Sequence, residues 1–300
     1  MPSTEMQQVK AQLAEEKAKA AKLPEPSWAE MRDGYAELGK LFPADPAASQ
    51  QQMELGGVPT VRFAGEGTDE SRAMLYLHGG GYTLGGIVTH LAITSRLALA
   101  AGCPVYALDY RLAPEHPFPA PVDDAVAGFR ALVASGVAAD RIAIAGDSAG
   151  GGLTLACMLA LRDAGDAMPA CGVPISPWTD ITGETGWAHA DDAVDPMIKP
   201  ADLHRMTRDY MQGQDAKQPL ASPLFGDLAG LPPLLVQVGT AEILLTDSTQ
   251  LSEKARAAGV DVTLHIEDGA PHVWHHFTPL MPEGVAAINQ AADFVRQHTV

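Results

Sequence analysis

Basic residues are scarce in this chain: 20 Lys and Arg stand against 37 Asp and Glu over 300 residues, a formal net charge of -17. An acidic surface repels polyphosphate backbones and anionic headgroups, so neither nucleic acid nor an anionic membrane is expected as a partner. Cysteine is nearly absent. Cys103, Cys157 and Cys171 are odd in number and lie in apolar segments, which argues against a disulfide framework or a metal site and for small buried side chains. Long apolar runs are missing as well. Met1 to Leu23 mixes Glu and Lys through an alanine-rich stretch, so it reads as neither a signal peptide nor a membrane span, and a cytoplasmic location is the default expectation. No period of tens of residues recurs, which sets repeat architectures aside.

What is present is an alternation. From Leu55 to Thr179, apolar strand-like runs alternate with helix-like stretches, the signature of an α/β protein with a mostly parallel sheet and right-handed crossovers. The pattern predicts strands near Ala73 to His78, Pro104 to Asp109, Arg141 to Gly146, Gly172 to Ser176, Leu234 to Gly239 and Val262 to Glu267. Two regions fall outside it: Met1 to about Asp45, with a helix-like Ser27 to Leu41, and about Ile181 to Gln218, with a helix-like Ala201 to Met211. A chain of this length buries roughly three quarters of its unfolded surface, enough for one catalytic core with a subsidiary lid.

Ser148 is the residue on which chemistry converges. It is the centre of Gly146-Asp-Ser-Ala-Gly150, between the β-branched run Ile142 to Ala145 and the helix-like Gly151 to Arg162. A sharp strand-to-helix turn lifts such a serine clear of the sheet, and small neighbours leave room around it. The competing reading is a Gly/Ser-rich loop met by chance. A serine nucleophile also needs a base, an acid and donors for the developing oxyanion. His78-Gly79-Gly80-Gly81-Tyr82 follows a strand and exposes consecutive backbone N–H groups. As a phosphate loop it lacks the Gly-Lys-Ser/Thr ending. Downstream, the strand-like Leu234 to Gly239 leads to Glu242, and Val262 to Glu267 leads to a Gly-Ala-Pro turn and His272. His265 alternates with apolar residues and reads as a strand residue, while His275 and His276 read as surface or packing groups. That leaves His272 as the base. The chain order serine, acid, histidine is the order of α/β-hydrolases.

With these motifs in register, the chain resembles the bacterial hormone-sensitive-lipase-type carboxylesterases, in the branch whose elbow reads GDSAG. The matching segments are His78 to Tyr82, Asp109 to Asp124, Gly146 to Gly151, Ser176 to Asp180, Asp195 to Met197 and Asp268 to Trp274. The family commonly carries aspartate as the triad acid. Counting without a gap from Leu231-Pro-Pro puts Glu242 at that place, with Asp247 as the alternative five residues on. The resemblance implies an α/β-hydrolase core (46–180 and 219–300) under a helical cap (1–45 and 181–218). It implies an oxyanion hole made by the N–H groups of Gly79, Gly80 and Ala149, and hydrolysis of short- to medium-chain esters through an acyl-serine. A small-molecule ester is the expected partner, no metal or organic cofactor is implied, and a homodimer is left open. Amidase or lactonase activity from the same triad is the near alternative, and a non-catalytic ligand-binding member of the fold the remote one. An Arg111/Glu115 pair is expected to brace the loops, and Asp147 and Asp180 to support turns or cap helices. The stripe Trp28, Met31, Tyr35, Leu38 and Leu41 is expected to pack on Leu203, Met206 and Tyr210.

Overall fold

A computed structural model describes the whole chain, residues 1–300. Helices α1 (Thr4–Ala20) and α2 (Trp28–Gly39) come first, followed by β1 (Ser49–Leu55), β2 (Val58–Ala64) and β3 (Ala73–Leu77). Next are α3 (Leu91–Ala101), β4 (Val105–Leu108), α4 (Ala120–Ala134), β5 (Ile142–Asp147), α5 (Ala149–Ala164) and β6 (Cys171–Ile175). The chain ends with α6 (Pro200–Met211), β7 (Leu234–Ala241), α7 (Leu245–Ala257), β8 (Val262–Pro271) and α8 (Pro282–His298). The sheet order is β1-β2-β4-β3-β5-β6-β7-β8. Strands β3 to β8 run parallel, and β2 pairs antiparallel with both β1 and β4.

The central strands are buried on both faces, which is why they read as continuous apolar runs. Their pleat divides the core. Leu75, Leu77, Ile142 and Ile144 pack with Phe129, Leu153 and Leu251 of α4, α5 and α7. The intervening Met74, Tyr76, Ala143 and Ala145 pack with Leu97 and Val295 of α3 and α8 on the other face. The three cysteines are free and buried, and burial pushes their thiols up to about 11 for Cys103 and about 12 for Cys157 and Cys171.

The hairpin β1–β2 is absent from the sequence reading. Ser49-Gln-Gln-Gln is an exposed edge with no apolar alternation to betray it, and the Gly56-Gly57 turn is its only signal. Helix α1 also departs from expectation, because its first turns belong to the core. Met6 and Val9 pack with Trp274, Phe277 and Met281, and Ser3 hydrogen-bonds Glu283. Ser27 and Glu30 close a capping box at the start of α2. Of the stripe on α2, Trp28, Met31 and Tyr35 pack against the core, whereas Leu38 and Leu41 are exposed.

Candidate active site

The site is built from the residues that immediately follow four neighbouring strands. Ser148 follows β5, Ser176 follows β6, Glu242 follows β7 and His272 follows β8. Register makes them adjacent, since Asp147 pairs with Ile175 and Ala241 with Pro271. This is the carboxyl edge of a parallel sheet, where ligands bind in open α/β folds.

Ser148 has φ 54° and ψ -121°, a strained conformation for a non-glycine residue. The turn is held by Ser148 N–H donating to Ile175 O at 2.8 Å and Trp178 N–H donating to Ser148 O at 2.9 Å. The helix that follows passes so close to β3 that a Cβ on Gly150 would lie 2.0 Å from Leu77 O, so the small residue is a steric requirement.

Glu242 Oε2 lies 2.5 Å from His272 Nδ1, with both side chains buried. Its other oxygen accepts from Gly239 N–H at 2.6 Å and Ser176 Oγ at 2.9 Å, and Ser176 Oγ in turn accepts from Val273 N–H at 3.2 Å. Burial alone would lower the pKa of His272. The charge and hydrogen bond of Glu242 outweigh it and hold the imidazole above its ordinary value. Ser148 and His272 line one cavity of about 510 Å³. Ser148 Oγ has no hydrogen bond to Nε2 here, a contact that commonly tightens only with substrate bound.

Asp247, the alternative acid, hydrogen-bonds neither member of this pair. It accepts from the N–H groups of Thr179 and Asp180 at 2.8 and 2.9 Å and from Thr185 Oγ1 at 3.1 Å, pinning the passage from β6 into the segment beyond. Burial pushes its carboxyl up to about 7 against these donors. The histidines sort likewise. His265 meets Glu267 on β8; His275 is buried against Trp274, bonds Gln237 and is pushed by burial down to about 3; His276 lines the cavity.

One expectation about the glycine loop needs correction. The N–H of Gly79 does not face the cavity: it donates to Asp147 Oδ1 at 3.1 Å. Gly80 and Gly81 do line the cavity, and neither N–H donates within the protein. As the first residue of α5, Ala149 has an N–H with no acceptor within the helix. The predicted Arg111/Glu115 pair is also replaced. Arg111 grips Asp124 through several contacts of 2.7 to 3.0 Å, and Glu115 pairs with Arg32 of α2. Arg32 further donates to Thr83 O and Ala113 O, tying α2 to the glycine loop. Asp180 caps the local turn at Thr182 and Thr185, as its position suggested.

Ser176 is the site residue that the sequence reading did not single out. Its signal was available, since it opens Ser-Pro-Trp-Thr-Asp directly after a strand; the structure adds a positive φ of 43°. The cavity walls come from the carboxyl end of α1 and the turn after it, from Met31 and Tyr35 of α2, and from Met197, Ile198, Leu203 and Met206. These two segments are fastened together. Lys17 Nζ donates to the carbonyls of Asp192, Asp195 and Ile198, Trp28 Nε1 donates to Asp209, and the Arg205 guanidinium lies 4.0 Å over the Trp28 ring. Asp195 fastens them to the floor, accepting from Met197 and Ile198 N–H on one oxygen and from Ile243 N–H on the other. No helix is long and apolar enough to cross a membrane.

Comparison with known proteins agrees with this fold. The alpha/beta hydrolase fold family matches residues 74–276. An acetyl-hydrolase of Streptomyces hygroscopicus is 46% identical over 277 residues, covering 88% of this chain and 93% of the relative. An esterase of Acinetobacter venetianus is 34% identical over 269 residues, covering 88% and 87%. The crystal structure of an esterase from the bacterial hormone-sensitive lipase family superposes with a TM-score of 0.94 at 42% identity, over 100% of both chains. The chain therefore belongs to the alpha/beta-hydrolase family and is a carboxylic ester hydrolase of the bacterial hormone-sensitive-lipase type.

Proposed function

We propose that Ser148, His272 and Glu242 form the catalytic triad and that the N–H groups of Gly80, Gly81 and Ala149 hold the oxyanion. His272 keeps a proton on Nδ1, donated to Glu242 Oε2, which leaves Nε2 as the base. Ser148 Oγ attacks the ester carbonyl carbon while its proton passes to Nε2. The tetrahedral adduct then expels the alcohol, which takes that proton from His272. Water repeats the sequence, releasing the acid and returning the proton to Ser148. The observation that carries this reading is the 2.5 Å contact between Glu242 and His272, one residue beyond paired strand ends, with His272 lining the same cavity as Ser148.

The chain from the carboxyl end of α1 to about residue 45, together with residues 181–218, acts as a cap in this reading, supported by their joint contribution to the cavity wall, while the first turns of α1 stay with the core. The apolar wall of Met31, Leu203 and Met206 suits short- to medium-chain acyl groups. The net charge of -17 favours a dissolved neutral ester as substrate. The test is a panel of p-nitrophenyl esters of increasing acyl length beside an amide and a lactone, with wild type and Ser148→Ala. Esters should be turned over best, and the variant should lose about 10⁴ or more in kcat while remaining folded. A folded variant retaining roughly a tenth of the activity contradicts the assignment of Ser148.

A further inference from the structure

Asp147 is a buried carboxylate beside the nucleophile for which the mechanism above has no use. Its oxygens and ring nitrogens of His90 and His276 lie within 4.8 Å of one another, a set of groups that could in principle hold a divalent cation. The polar hydrogens argue otherwise. Tyr76 O–H donates to Asp147 Oδ1 at 2.7 Å, and the Gly79 N–H meets the same oxygen at 3.1 Å while also approaching His90 Nε2 at 3.3 Å. Donor hydrogens crowd the space where a cation would sit. The cluster is already a hydrogen-bonded joint.

What the joint connects is informative. On one side is the elbow, because Asp147 directly precedes Ser148 and Ala149. On the other is the glycine loop, which the carboxylate approaches so closely that a Cβ on Gly79 would lie 2.2 Å from Asp147 Oδ2. Behind the carboxylate stands His90, fully buried, with Nε2 at 3.2 Å from Asp147 Oδ2. His90 is itself anchored: its Nδ1 lies 2.7 Å from Thr89 Oγ1 and 3.2 Å from Gly86 O, at the far end of the glycine loop. The oxyanion donors assigned above come from both sides of this joint, Gly80 and Gly81 from the loop and Ala149 from the elbow. A donor pair works only if both aim at one point, and a displacement of about 1 Å can cost roughly 10²-fold.

We propose that His90 is a positioning residue for ester hydrolysis: acting through Asp147, it sets the spacing between the glycine loop and the nucleophile elbow so that the donors of both converge on the oxyanion. The inference rests on the oxyanion assignment made above. It predicts that His90→Ala lowers kcat for p-nitrophenyl butyrate by about 10- to 100-fold with KM changed less than about threefold, because the loss falls on the transition state. Inhibition by an alkyl trifluoromethyl ketone, whose adduct with the serine carries an oxyanion, should weaken by the same factor. His90→Gln places an amide N–H near the position of Nε2 and should restore kcat to within roughly threefold of wild type. Thr89→Val, which keeps His90 but removes the hydroxyl beside Nδ1, should lower kcat by about threefold to tenfold and serves if the alanine variant does not fold.

Two results overturn the proposal while leaving the ester hydrolase reading intact. One is wild-type kcat and ketone affinity in a folded His90→Ala or Thr89→Val protein. The other is equal loss in His90→Ala and His90→Gln together with a matching fall in Tm, which makes His90 a packing residue. Chelation should leave wild-type activity unchanged; loss of activity restored by zinc makes the cluster a metal site and also overturns it. A wild-type protein inactive on every ester of the panel removes the underlying assignment, and this inference with it.

Discussion

The floor of the cavity hangs from strand ends, whereas its roof is held on by long side chains. Below, Ser148, Ser176, Glu242 and His272 each occupy the first position after one of four adjacent strands, so sheet register sets their spacing. Above, Lys17 and Arg205 reach main-chain carbonyls and an aromatic face to join the two outer segments, with Asp195 as the link downward. Backbone pairing sets the spacing of the floor, whereas the roof is joined by side chains that can be exchanged one at a time. In the proposed mechanism the floor carries the chemistry and the roof shapes what it receives. Substitutions below should therefore fall on kcat, and substitutions above on KM and chain-length preference.

The largest contrast lies within the floor. His272→Ala and Glu242→Gln should each reduce kcat by roughly 10²- to 10⁴-fold, while Asp247→Asn, which touches only the passage toward the roof, should stay within about tenfold. Steady-state kinetics on one ester decides this. A larger loss in Asp247→Asn would remove Glu242 as the acid. The pH profile adds a sign. In the proposed mechanism neutral His272 is the base, so kcat/KM should fall as pH drops through its pKa. Glu242 raises that pKa above the ordinary histidine value. In Glu242→Gln the residual activity should therefore persist to lower pH than in wild type, and an unmoved acidic limb would contradict the pairing.

A smaller effect, on the order of tenfold in kcat/KM, is expected from removing Met1 to Leu41. The deletion strips Lys17, Trp28, Met31 and Tyr35 from the roof and leaves Ser148, Glu242 and His272 in place. It also uncovers the core contacts of Met6 and Val9, so the shortened protein should have a lower Tm and aggregate more readily. A soluble truncated protein with wild-type kcat/KM across the ester panel would show the roof to be built from residues 181–218 alone.

The same division governs what could be read from the sequence. The floor was legible because strand ends, glycine runs and turn residues are local signals: GDSAG, the glycine loop, Glu242 and His272 each stood beside a recognisable strand. Partner choices across the fold were not local. Arg111 turned to Asp124 on α4 instead of Glu115, and Glu115 was taken by Arg32, some eighty residues earlier in the chain. The direction of a single amide was equally hidden, since the N–H of Gly79 is claimed by a carboxylate that only tertiary structure brings near. The roof yielded its helices through periodicity and capping, but the exposure of Leu38 and Leu41 shows that an apolar stripe need not be fully covered.

The smallest expected effect concerns selectivity. Met206, whose side chain lines the cavity beside Gly81, should limit acyl length. Wild type should prefer roughly two to eight acyl carbons, and Met206→Ala should extend the optimum by about two carbons with kcat on the best ester changed less than roughly threefold. A maximum on emulsified long-chain triglyceride, activated at the oil interface, would contradict an acyl pocket limited by Met206.

Acylation of Ser148 is the step on which the proposed mechanism rests. Incubation with a p-nitrophenyl alkylphosphonate, followed by peptide mass spectrometry, reports which side chain displaces the nitrophenolate. A single adduct is expected on the peptide containing Ser148, formed in step with loss of ester turnover and absent in Ser148→Ala. Labelling of another residue with the same loss of activity, or full inactivation of wild type with Ser148 unmodified, would contradict it.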